Sequence, residues 1–69
     1  MTDFDRLCDI CALKGVRAVL HEIKDQDYLA LAGACHARAR QAQLRGDDAT
    51  AERLTTAGDY LVYLLFPYD

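Results

Sequence analysis

The chain has 69 residues, a hydrophobic fraction of 52% and a formal net charge of −3. That length holds one domain, taken as residues 1–69, and the apolar content excludes a disordered tail. The acidic balance argues against a general nucleic-acid binder, and no apolar run approaches the ~18 residues of a membrane span.

Size alone predicts association. Chains below ~70–80 residues seldom bury enough apolar area without a disulfide, a metal or a partner. The start Met1-Thr2-Asp3-Phe4-Asp5 is acidic and lacks the basic-then-apolar order of a signal peptide. Three cysteines, an odd number, fit reduced thiols better than a disulfide framework. Together these features predict a cytoplasmic protein.

The first segment reads as a helix over about residues 3–24. Thr2 followed by Asp5 has the form of a capping box, and Asp3 and Asp5 suit a helix N-terminus. Phe4, Leu7, Cys8, Cys11, Val16, Val19, Leu20 and Ile23 form its apolar set. At about 100° per residue, Arg6, Lys14, Arg17, His21 and Lys24 gather in one sector and keep their phase across Gly15. Lys14-Gly15-Val16 also has the form of a helix C-terminus. The conserved phase of the basic stripe favours one continuous helix. Its apolar arc exceeds half the circumference, more than one packing face requires, and this predicts either a seat in a groove between two neighbours or a spare face for another chain.

Lys24-Asp25-Gln26-Asp27 is a short polar connection, with Asp27 as N-cap of a second helix over about 28–45. That helix carries a small-residue stripe, Ala32, Cys35, Ala39 and Ala42 after Tyr28 and Leu31. Gly46 follows as the residue past its end, with Arg45 at the negative end of the dipole. Asp47 or Asp48 caps a third helix over about 48–66, and Pro67 closes it. Its seam is Ala51, Leu54, Gly58, Leu61 and Leu65, spaced as antiparallel packing wants. The expected fold is all-α: a small three-helix bundle built on an antiparallel hairpin.

Several patterns bear on chemistry. Cys8-Asp9-Ile10-Cys11 is a CxxC, and with Cys35 and a histidine (His21 or His36) it offers a zinc-ligand set. It lies inside an apolar helical pattern, where free cysteines act as small buried hydrophobes, so the expectation is no metal and no cofactor. Cys35 and His36 diverge as neighbours on a helix and do not form a nucleophile–base pair. No phosphate loop, Ser/His/Asp set or paired carboxylates occur, and so small a helical chain has little volume for a pocket. No enzymatic activity is expected. Residues 28–46 hold Arg38, Arg40 and Arg45 and no acid, a basic strip between acidic segments. This suits mutual attraction between packed helices first, then an acidic partner or, as a weaker alternative, nucleic acid.

Tyr60, Tyr63 and Leu64 fall away from the seam, and with Phe66 and Tyr68 they make an aromatic C-terminal quarter. Tyrosine brings large contact area with a polar tip and is enriched at interface hot spots. These five residues and Arg38 are the expected partner-binding set; the competing reading has Tyr60 and Tyr63 packing under the first helix as the rim of the core. The partner is another protein, in a homodimer or a heterocomplex.

Residues 32–65 resemble one tetratricopeptide-type unit, with Ala39, Gly46, Asp47 and Ala51 at its small-residue and turn positions and Gly58 where that pattern has alanine. Cys35, Arg38, Ala42 and Thr55 depart from it. In plan the chain is also similar to two groups of small bacterial proteins, the ANR-type transcriptional regulators and the helical-hairpin co-chaperones of type III secretion. These resemblances imply a small bacterial or phage regulator, inhibitor or co-chaperone that docks on a larger protein.

Overall fold

The computed structural model describes residues 3–66. Three α-helices make up most of it: α1 (Phe4–Lys14), α2 (Tyr28–Leu44) and α3 (Asp48–Leu65). Two 3-10 turns, Val16–Val19 and Asp25–Asp27, lie between α1 and α2. The expected all-α hairpin bundle is present, and α2 and α3 share its most extensive packing.

The first helix is shorter than its periodicity predicts. Asp3 caps α1, its Oδ1 accepting from the Arg6 backbone N–H at 3.1 Å. Thr2 of the expected capping box lies outside the described residues. At the other end the helix stops at Lys14, because Gly15 takes φ 97 and ψ 164. The continuous helix over 3–24 is therefore corrected to one helix, a turn and a loop. The physical reason is burial. A straight helix cannot turn more than half its circumference to one core. Breaking at Gly15 lets Leu7, Cys8 and Cys11 on α1 and Val19 and Ile23 beyond it enter the same core. Much of the apolar arc expected of the first helix is thereby turned into the core, with Phe4, Ile10, Val16 and Leu20 half-buried against it and Leu13 left exposed.

Two arginines hold this bent segment. Arg6 reaches forward to Glu22 at 2.8 Å. Arg53, from α3, donates to the Ala12 and Leu13 carbonyls at 3.1 and 3.3 Å. Those carbonyls are orphans of the α1 C-terminus, where a cation is also favoured by the dipole.

The entry to α2 differs from expectation. Asp27 makes no side-chain cap bond, since the Asp25–Asp27 turn already holds helical backbone and runs straight into α2. The hairpin turn follows expectation closely. Gly46 takes φ 80. Its N–H bonds the Gln43 carbonyl at 3.0 Å, and the Asp47 N–H bonds that of Ala42 at 2.9 Å. This is the Schellman pattern, which satisfies two orphan carbonyls of α2. Asp47 then caps α3, accepting from the Thr50 N–H at 3.2 Å.

The seam buries Ala32, Cys35, Ala39 and Ala42 of α2 and Ala51, Leu54, Ala57, Gly58 and Leu61 of α3. Small residues on both sides let the helices approach closely. A Cβ built on Gly58 would lie 2.5 Å from His36 Nε2, so the His36 ring occupies the space that any other residue would need. All three thiols enter the core, with Cys8 Sγ 3.9 Å from Cys35 Sγ. Every buried side-chain N or O among the described residues has a partner. None of the described helices is long and apolar enough to cross a membrane.

Candidate protein-docking face

Soluble helices normally turn their large apolar side chains inward. Among the described residues five stay exposed: Leu13 at 76%, Leu29 at 54%, Leu44 at 84%, Tyr63 at 56% and Phe66 at 52%. The register of the hairpin relates four of them.

His36 Nε2 lies 3.0 Å from Asp59 Oδ1 and sets the level at which α2 and α3 meet. With ~3.6 residues per turn, Leu29 stands two turns back from His36, and Arg40 and Leu44 continue the same side of α2. On α3, Tyr63 stands one turn beyond Asp59 and Glu52 two turns before it, while Phe66 follows just past the helix end as its C-cap. The helices run antiparallel, so Leu29 comes level with Phe66. Leu29, Gly33, His36, Arg40 and Leu44 thus share one face of the hairpin with Asp59, Tyr63 and Phe66, and Glu52 stands at its edge, where it also borders the end of α1. The opposite side of the hairpin carries α1: Arg38 pairs there with Asp5, and with Asp9 at 3.8 Å.

The expected partner-binding residues divide accordingly. Tyr63 and Phe66 are exposed on the outer face. Tyr60, Leu64 and Arg38 are half-buried. Arg38 is committed to the α1 carboxylates, and those neighbours, with the Asp5 hydrogen bond first, raise its pKa further. Tyr68 lies outside the described residues. Leu29 was not in the expected set. Its exposure follows from the helix register, and only the contact between His36 and Asp59 places it beside Phe66.

The arginines of α2 form no single strip. Arg38 and Arg40, two residues apart, project roughly 160° from one another. Arg45 ends the helix as its C-cap. Cys8, Cys11 and Cys35 do converge, but in a closed core. Burial pushes the Cys8 thiol up. The hydrogen bond with Cys11, followed by burial, pushes Cys35 up, and the same bond lowers Cys11. Both histidines are exposed, and His36 is engaged by Asp59. Among the described residues no group of three or more His, Cys, Asp or Glu is placed to hold a metal ion.

A second surface is an open groove of about 480 Å³ where α1 ends against α3, lined by Leu13, Lys14, Val16, Glu52, Arg53 and Thr56. Leu13 is its one large exposed apolar side chain, and charged groups make up much of the rest. A shallower groove of about 350 Å³ lies on α2 between His36, Arg40 and Leu44, within the outer face.

No family model, curated protein or solved structure matches this chain. Among the described residues the chain is a small helical bundle with Leu29, Leu44, Tyr63 and Phe66 left exposed on its hairpin.

Proposed function

We propose that this protein is a non-catalytic interaction module, a regulator, inhibitor or co-chaperone, which docks on another protein through the outer face of the α2/α3 hairpin. One observation carries the reading. Leu29, Leu44, Tyr63 and Phe66 all stand more than half exposed, and helix register places them on one face. Scattered exposed apolar residues are ordinary, but grouping on one face marks an interaction surface. Tyr63 and Phe66 are suitable anchors, since large aromatic side chains dominate interface energetics. Gly33, on α2 near the level of Tyr63, keeps that part of the helix low, and Arg40, Glu52 and Asp59 supply a polar rim.

The same reading places the protein in a reducing compartment such as the cytoplasm, supported by three thiols that pack as core residues. Absence of catalysis is supported by the shallow, open character of both grooves. The mode of action agrees with that of the ANR-type regulators and secretion co-chaperones which the hairpin resembles in plan.

The test is the double substitution Tyr63→Gln/Phe66→Gln. Both side chains are largely solvent-exposed, so helical circular dichroism stays at the wild-type level. Association, whether with itself or with proteins captured from the source cell, falls at least tenfold. An unchanged oligomeric state together with an unchanged set of captured proteins overturns the proposal.

A further inference from the structure

Resting on that reading, we infer that the occupant of the outer face is a second copy of this chain, stacked so that α2 of each copy lies on α3 of the other. The argument comes from charge. On the outer face α2 contributes Arg40 and His36 and no acid, while α3 contributes Asp48, Glu52 and Asp59 and no base. His36 and Asp59 already engage each other, so this face sets the unpaired Arg40 of α2 beside the Asp48 and Glu52 carboxylates of α3. Among the described residues Arg40 has no hydrogen-bonded or ion-paired partner, and Glu52 has none. A face of this kind is complementary to itself.

Two symmetric stackings of hairpin on hairpin exist, because a closed dimer interface must be two-fold. With the axis across the helices, α2 lies on α2 and α3 on α3. Arg40 then faces another basic helix, and the carboxylates face carboxylates. With the axis along the helices, each α2 lies on the partner's α3. The His36–Asp59 register then sets Arg40 over the partner's α3 between the partner's Glu52 and the partner's Asp59. In the same arrangement Leu29, Tyr63 and Phe66 of the two copies meet at one end, so the aromatic cluster closes on its own image. Complementary charge fixes the register and suppresses the wrong stacking, while the aromatic end supplies the buried area.

The deciding experiment is sedimentation velocity on the full chain over a micromolar concentration series, with circular dichroism as the check on folding. Wild type sediments at twice its 7.7 kDa mass. Arg40→Glu, which sets like charges face to face, weakens the dimer by about tenfold or more at unchanged helicity. Adding Glu52→Arg to that variant restores association, because the exchanged charges pair again across the axis. A wild-type monomer at the highest concentration overturns the inference, as does a dimer that Arg40→Glu leaves unchanged or tightens. Tyr63→Gln/Phe66→Gln separates the two levels. If wild type is monomeric and the double variant still loses another protein, self-pairing is wrong and the docking face stands. If wild type is dimeric and the double variant dimerises equally well, self-pairing through this face is wrong, and the docking face falls with it when the captured proteins are also unchanged.

Discussion

Replacing Gly15 by alanine reverses in sign according to whether the first helix breaks. In a continuous helix Gly15 is an interior glycine, and alanine stabilises such a site by about 0.8–1 kcal/mol. In the structure Gly15 has φ 97 and ψ 164, a region occupied essentially by glycine alone. A Cβ added there meets no atom within 4 Å, so the cost is backbone strain and not a clash. That strain is of order 1–3 kcal/mol. Relaxation into a longer α1 brings no escape, since it would carry Val19 and Ile23 out of the core they fill. In a domain of this size each kcal/mol moves Tm by about 4–8 °C, so Gly15→Ala lowers Tm by roughly 5–20 °C. Gly33 is the control. It is exposed within α2 and also has nothing within 4 Å of an added Cβ. Gly33→Ala therefore raises stability by about 1 kcal/mol. Thermal and urea melts followed by circular dichroism, at equal protein concentrations, measure both. A Gly15→Ala protein as stable as Gly33→Ala refutes the broken first helix.

Three further outcomes follow from the core and the caps. Leu61 is fully buried where α2 and α3 meet, and Leu61→Ala costs about 2–5 kcal/mol, enough to unfold much of so small a domain; urea melts read the loss. Hydrogen bonds from the Thr50 side chain and backbone N–H hold the Asp47 carboxyl below its usual range. Its contribution to stability is therefore present above the unfolded pKa of about 3.9 and lost as pH falls through the lower folded value. Asp47→Asn keeps an acceptor but cannot titrate, so its acid melting curve lacks that loss; identical acid limbs in the two proteins would contradict the cap. Finally, the three buried thiols react slowly with a disulfide reagent in native buffer and together once denaturant opens the core. One fast-reacting thiol in the native protein contradicts their common burial.

The hairpin was legible because its signals are local. Gly46 and Asp47 announce a helix end and a new cap, and the structure uses both, Asp47 serving at once the end of α2 and the start of α3. The seam from Ala32 to Ala42 against Ala51 to Leu61 was legible from period alone. The break at Gly15 was half legible: Lys14-Gly15-Val16 has the form of a helix end, but a helical wheel records phase and is blind to whether the backbone continues. The basic stripe across Gly15 kept its phase, yet burial of Val19 and Ile23 decided the path. Arg38 and Arg40 show the same limit. Both stood out as unbalanced charges, but which one meets Asp5 and Asp9 depends on where α1 lies. Arg53 offered no sequence signal for its place at the end of α1, since its acceptors are backbone carbonyls about forty residues away in the chain. The exposed face proposed for docking was half visible. Tyr63 and Phe66 were marked by surplus aromatic character, whereas Leu29 required the register fixed by His36 and Asp59.

The claim that function resides on the outer face of the hairpin is tested most directly by amide chemical-shift mapping of isotopically labelled protein, on dilution for self-association and on addition of any captured partner. The account predicts shifts concentrated at Leu29, Gly33, His36, Arg40, Asp59, Tyr63 and Phe66, with α1 unperturbed. Shifts centred instead on Leu13, Lys14 and Val16, at the groove where α1 ends against α3, would contradict it.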